Sequence, residues 1–154
     1  MLDAKKQIGS KTARIALVVV LPLLIAPTTL SNRSDFSFTM EHHLVNGKKN
    51  QIVHMLAPGV LTISGSLWVT EALPGALGPY DVTIRVNRIV EGFLSSDEEV
   101  CTIVVAPSSQ VGKKVPFIGS CGSVSGSLYL FVFKSNDDGR SVQATGELVT
   151  KNRL

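Results

Sequence analysis

Three histidines form the only candidate metal site in the sequence, because imidazole is a common zinc ligand and His42, His43 and His54 lie close together. Asn46-Gly47 is a strong hairpin signal. A two-residue turn there would place His54 opposite Thr39, about 13 Å along the strand from His43. His42 and His43 would point to opposite faces, since side chains alternate along a strand. We therefore expect exposed histidines beside a turn and not a metal site.

No other group of residues is arranged for catalysis. Serines are frequent in "GSCGSVSGS", but no G-x-S-x-G elbow occurs, and a triad would have to take its base from the same histidines. The acidic runs 97–99 and 137–139 lack the alternating oxygen ligands of a calcium loop and are expected to be solvated turns. Neither a P-loop nor a dinucleotide fingerprint is present. We predict no catalytic, cofactor-binding or metal site, and no enzyme activity.

Cys101 and Cys121 are the only cysteines, and both follow the apolar N-terminal segment. Strand alternation places Cys101 on the face of Ile103 and Cys121 on the face of Phe117, so both thiols face the predicted core. In an oxidising compartment two such thiols form a disulfide, whereas a redox site would place them closer together, as in C-x-x-C. We predict a structural disulfide.

The elements that must position these residues are strands. From Phe36 onward apolar and polar residues alternate with period two, and the hairpin register at Asn46-Gly47 places Met40 opposite Val53 and Phe38 opposite Met55. Further strand signals follow, separated by turns about every 8–12 residues, and Pro116 marks one of them as an edge strand. For residues 36–154 we predict an all-β fold, an antiparallel β-sandwich of seven to nine short strands with one intradomain disulfide.

Residues 1–35 have a different character, since a basic flank precedes an apolar run, as in a secretory signal or signal-anchor. Positive residues near such a run stay in the cytoplasm, so the β domain is expected on the periplasmic or other extracytoplasmic side. The side chains assigned to the membrane are Ile15, Leu17, Val18, Leu21, Leu23, Leu24, Ile25 and Leu30.

Whether this segment is removed or retained stays open. The run from Ile15 to Leu30 is about 24 Å long as a helix, whereas a bilayer core needs about 30 Å, and Pro22 and Pro27 disfavour an uninterrupted helix. Cleavage after Ala26 is poor because Pro27 follows, whereas a cut before Asn32 is tolerable. A poorly cleavable basic segment favours retention, with the lipid bilayer as one partner.

The charge distribution argues against nucleic acid as a partner. The formal net charge is +3, but residues 36–154 contain ten Lys/Arg and ten Asp/Glu, so the surplus belongs to residues 1–35. A nucleic-acid-binding domain carries its positive charge on the folded part.

One connection is unusually apolar for a loop, the stretch that follows Trp68 in "GSLWVTEALPGALGPY". Loops normally face water, so apolar side chains there indicate a contact with a partner. Trp68 belongs either to the core or to this surface, and alternation with Leu67 and Val69 points it away from them. The candidate contact residues are Trp68, Leu73, Pro74, Leu77 and Pro79.

A neutral domain without a site and a poorly cleavable anchor favour a non-catalytic accessory subunit of a larger membrane protein complex. Photosynthetic and respiratory assemblies are the expected class of host, and other subunits of the complex are the expected partners. The alternative is a secreted or cell-surface module that binds a carbohydrate or protein ligand after its signal is cleaved.

Overall fold

The computed structural model describes residues 30–92 and 95–152, and these ranges contain seven strands and no helix. The strands are β1 (Arg33–Met40), β2 (Leu44–Asn46), β3 (His54–Ala72), β4 (Val82–Arg88), β5 (Glu98–Val105), β6 (Val115–Lys134) and β7 (Arg140–Lys151). They pair antiparallel in the order β1-β7-β3-β6-β4-β5, with β2 also beside β6. The predicted all-β antiparallel fold is confirmed. In the described ranges no helix is available to cross a membrane.

The sheet is built on two long strands, β3 with 19 residues and β6 with 20, so the prediction of short strands is wrong for these two. The first part of β6 pairs only with β3, whereas residues from Leu128 onward pair with β4. Buried side chains of β1 and β4, which lie far apart in the sheet order, belong to one hydrophobic cluster. The sheet therefore folds around a single core in a sandwich-like manner.

The hairpin predicted at Asn46-Gly47 is wrong. β1 pairs with β7, so that Phe38 lies opposite Ala144 and Met40 opposite Val142. A turn does follow β2, but β2 and β3 both pair with the side of β6 that faces away from β4. Residues 47–53 thus form a loop between β2 and β3, and these two strands pair with the same edge of β6.

The predicted disulfide between Cys101 and Cys121 is confirmed, with the two Cα atoms 5.4 Å apart. It joins β5, which among the described strands is hydrogen bonded only to β4, to the first part of β6. Two residues away, a Cβ on Gly119 would lie 2.6 Å from Cγ1 of Ile103, so Ile103 packs directly on the β6 backbone. The disulfide therefore links β5 to the first part of β6, two described segments that do not pair with each other.

The predicted membrane segment lies outside the described residues except for its last member, Leu30, which is exposed. Directly after it, Ser31 forms an isolated parallel bridge with Leu56, and its carbonyl accepts a hydrogen bond from Ala57 N–H. Asn32 O accepts from Thr150 N–H at 2.8 Å. The chain is therefore fixed to β3 and β7 as soon as the apolar run ends.

Candidate interaction surface

Three loops meet at one end of the domain: 73–81, 106–114 and 135–139. Strand pairing brings their ends together, because Ala72 lies opposite Arg140 and Val82 lies opposite both Val105 and Lys134. We call this end the distal surface. It contains the apolar loop that the sequence indicates as a partner contact.

A buried ion pair supports the distal surface from below. Lys134 Nζ lies 2.5 Å from Asp138 Oδ1, and both side chains are almost completely shielded from solvent. Lys134 Nζ also donates to Arg140 O, while Asp138 accepts from the backbone N–H groups of Tyr80 and Arg140. Each buried charge is thus surrounded by hydrogen-bond partners, the condition under which burial of an ion pair is tolerated.

The same network sets the ionisation of Asp138. Burial alone raises the pKa of this carboxyl. The hydrogen bonds from Lys134, Tyr80 and Arg140 and the positive charge of Lys134 outweigh that effect and lower the pKa below its ordinary value. Asp138 is therefore charged at neutral pH and fixes the backbone of the apolar loop through Tyr80.

Further hydrogen bonds hold the loop at its other positions. Leu73 N–H donates to Gly139 O at 2.9 Å, and Leu77 N–H donates to Asp138 O at 3.0 Å. Arg140 Nε donates to Leu77 O at 2.6 Å, while its Nη1 donates to Ser109 O at 3.3 Å. Arg140 thus links the apolar loop to loop 106–114, and the three loops form one connected unit.

The predicted contact residues divide by exposure. Leu73 and Leu77 are 58% and 55% exposed, and Pro74 is also exposed, whereas Pro79 is half-buried. Val111 of loop 106–114 is exposed as well, a residue that the sequence did not single out. Because the backbone below them is fixed, these side chains are presented to solvent by a rigid support.

Trp68 lies outside the core cluster and is half-buried. Its neighbours Leu67 and Val69 are fully buried, so Trp68 points away from them as alternation predicts. Lys114 Nζ lies 4.7 Å from the centre of the indole ring, a cation–π contact. Trp68 thus joins β3 to the end of loop 106–114 and borders the distal surface.

The histidines are placed differently from the prediction. His54 lies opposite Leu128 and not opposite Thr39, and it is only 4% exposed, so the prediction of an exposed histidine is wrong here. His42 and His43 are exposed as expected. In the described part of the chain, no three His, Cys, Asp or Glu side chains are grouped to hold a metal ion.

The two acidic runs that were expected to be solvated turns each contribute a structural carboxylate. Asp138 is described above. Asp97 accepts hydrogen bonds from Lys48 Nζ at 2.7 and 2.9 Å and from Tyr129 Oη at 2.9 Å, and the Lys48 bond is the main cause that lowers the pKa of Asp97. No sequence signal distinguished these two aspartates from their exposed neighbours, because their partners are distant along the chain.

No protein-family model matches the sequence, and comparison with curated proteins gives no match. Among solved structures the chain is similar to the Yersinia pseudotuberculosis-derived mitogen (YPM). The TM-score is 0.36 and the sequence identity 12%, and the match covers 81% of this chain and 92% of that chain. A similarity of this size assigns no partner and no site residue to the present chain.

Proposed function

We propose that this chain is a non-catalytic accessory subunit of a larger membrane protein complex, in which a β-sandwich domain binds a partner subunit on the extracytoplasmic side. The observation that carries the proposal is the exposure of Leu73 and Leu77 on a loop whose backbone is fixed by the buried pair Lys134–Asp138. Exposed apolar side chains that are grouped on one rigid loop are typical of a binding surface.

The support matters for affinity. Ordering a loop on binding costs free energy, and a loop that is already ordered avoids this cost. Around the exposed leucines the strand ends and loops carry charged residues of both signs, Glu71, Asp81, Lys113 and Lys114, all of them exposed. An apolar centre with a charged rim is the arrangement of protein–protein interfaces.

The location rests on two further observations. The disulfide Cys101–Cys121 fits an oxidising compartment, and the basic flank of the apolar N-terminal run is typical of a segment whose N-terminal end stays in the cytoplasm. The neutral charge of residues 36–154 fits a protein partner better than nucleic acid.

The test is purification of the full chain in mild detergent, followed by identification of the proteins that accompany it in stoichiometric amount. Leu77→Asp should abolish this association, since a charge buried in an interface centre costs at least about 2 kcal/mol. Ile118→Asp is the matched control, because Ile118 is 75% exposed but lies on β6 outside the three loops. Retention of the partners by Leu77→Asp contradicts the proposed surface.

Intact mass of the natively purified chain provides an independent check. A retained N-terminal segment supports the membrane subunit. A mature chain that begins near Asn32 and occurs alone in the medium would instead support a secreted binding module.

A further inference from the structure

A second set of exposed apolar side chains lies where the chain leaves the predicted membrane segment. We call it the junction patch: Leu30, Val53 and Met55. Met55 is the most exposed of the three, at 62%, although it lies between the buried residues His54 and Leu56. Scattered exposed apolar residues are normal on a protein surface, so the patch gains meaning only from its position.

Its position follows from the isolated bridge between Ser31 and Leu56. The bridge is parallel, so Leu30 precedes Ser31 in the same way that Met55 precedes Leu56. Because side chains alternate along extended chain, Leu30 and Met55 lie next to each other on the face opposite Leu56, which is 1% exposed. Val53, two positions before Met55, continues the patch along the chain on the same side.

No linker separates the patch from the apolar run. The run extends from Ile15 to Leu30, and its last residue is itself a member of the patch. If the run is in the membrane, the hydrogen bond from Ala57 N–H to Ser31 O, 2.8 Å long, holds the start of β3 at the membrane surface. With the run in the membrane, the patch therefore lies next to the bilayer.

The charged residues close to the patch in the sequence also fit contact with the bilayer. Between His42 and Thr70 the sequence has two lysines and no acidic residue. Lys48 is paired with Asp97, whereas Lys49 is exposed at the turn that leads to Ile52. A lysine at such a position can lay its apolar stem along the patch and keep its amine in the headgroup region.

We infer that the junction patch is a lipid-contacting surface, which rests in the interface between headgroups and acyl chains of the bilayer. The inference depends on the part of the proposed function that retains the N-terminal segment, and it does not depend on the partner of the distal surface. Surfaces of this kind enter the bilayer boundary by about 5–10 Å. The β domain is then seated on the membrane by its own folded surface as well as by its tether.

The sole tryptophan of the chain offers a direct test. The full-length chain is reconstituted in phosphatidylcholine vesicles that contain brominated phosphatidylcholine, and its intact mass is used to establish that the N-terminal segment is present. One variant carries Met55→Trp together with Trp68→Phe. The unmodified chain is the matched control, because Trp68 lies thirteen positions along β3 from Met55, about 40 Å along the strand.

Bromine quenches indole fluorescence only at short range, so we expect the indole at position 55 to be quenched at least about threefold more strongly than Trp68. Val53→Trp with Trp68→Phe should behave in the same way, which guards against a folding defect in the first variant. Equal quenching of all three proteins would overturn the inference, and so would quenching of Trp68 alone. No partner protein is present, so failure here leaves the distal surface unaffected.

Discussion

The rings of Phe36 and Phe117 stack with their centres 6.4 Å apart, although they belong to strands separated by two others. Phe36 lies opposite Gly146 of β7, Gly146 opposite Gly65 of β3, and Gly65 opposite Phe117 of β6. Four strands thus present Phe, Gly, Gly and Phe in one row. The two rings lean over the glycines and meet above them, which fills the space that two missing side chains leave.

Either glycine should therefore be intolerant of alanine. A Cβ on Gly146 would collide with the backbone oxygen of Ser64 and would lie 2.6 Å from Cζ of Phe36. One on Gly65 would collide with the backbone oxygen of Thr145 and would lie 2.9 Å from Cζ of Phe117. We expect Gly146→Ala to lower the free energy of unfolding by about 1–3 kcal/mol, the usual cost of overpacking. Urea denaturation measures it. Gly122→Ala is the control, since a Cβ at Gly122 meets no atom of the described residues within 4 Å, and equal stability of both variants would contradict this close packing.

Removal of one partner of the buried pair Lys134–Asp138 should be costly. Lys134→Met leaves the Asp138 carboxylate buried without its cation, and we expect a loss of about 3–5 kcal/mol in the free energy of unfolding. The loop that Asp138 fixes through Tyr80 should also become accessible to limited proteolysis. Asp137→Asn is the control, because the neighbouring Asp137 side chain is well exposed. An unchanged proteolysis pattern in Lys134→Met would show that the pair does not support the distal surface.

The same pair predicts sensitivity to acid. The pKa of Asp138 is lowered in the folded state, so its contribution is complete above the unfolded value, about 3.9. It disappears as the pH falls through the lower folded value. The wild-type chain should therefore lose stability more steeply in this range than Asp138→Asn. Unfolding curves at a series of acidic pH values measure the difference, and parallel curves would argue against a charged Asp138.

Removal of the disulfide should destabilise the protein and loosen β5 before the other strands. The loop between Cys101 and Cys121 spans 20 residues, for which chain-entropy arguments give about 3 kcal/mol. We expect the double variant Cys101→Ser, Cys121→Ser to lose about this amount of its free energy of unfolding. Hydrogen exchange should increase first in β5, because β4 is its only hydrogen-bonded neighbour among the described strands. Exchange that increases equally in all strands would contradict this role of the disulfide.

Local patterns predicted the features that depend on a strand's own alternation. The inward direction of Cys121 follows from period two and agrees with its burial. Period two left open whether Trp68 belongs to the core or to the surface, and the structure shows it half-buried outside the core cluster. Pro116 indicated an edge strand. This interpretation holds for the first part of β6, which among the described strands pairs only with β3, whereas the later part of β6 pairs on both sides.

Pairings between distant segments were not predictable in the same way. The Asn46-Gly47 signal does mark a turn, but β1 finds its partner in β7, more than a hundred residues away, where Phe36 meets Gly146. Apolar residues on both sides of the turn made the false register look consistent. Asp138 and His54 were misplaced for the same reason, since their burial is caused by partners that only tertiary structure brings close.

His54 gives the last prediction, a loss of stability below neutral pH. Its Nδ1 shares a hydrogen bond of 2.8 Å with Ser34 Oγ, while Nε2 is buried without a partner among the described residues. Burial lowers the pKa of His54 below its ordinary value, so the folded chain holds the ring neutral while the unfolded chain takes up a proton near pH 6.5.

The free energy of unfolding should then have its full value above about pH 6.5. It should decrease as the pH falls below this value, by at most about 1.4 kcal/mol per pH unit. His54→Gln removes this dependence, although it also lowers stability at neutral pH because the ring that fills the space beside Leu130 and Val132 is lost. His43→Gln, at an exposed position, should keep the wild-type slope. Urea unfolding between about pH 7.5 and 5.5 compares the three slopes, and a wild-type slope equal to that of His54→Gln would show that His54 can be protonated in the folded chain.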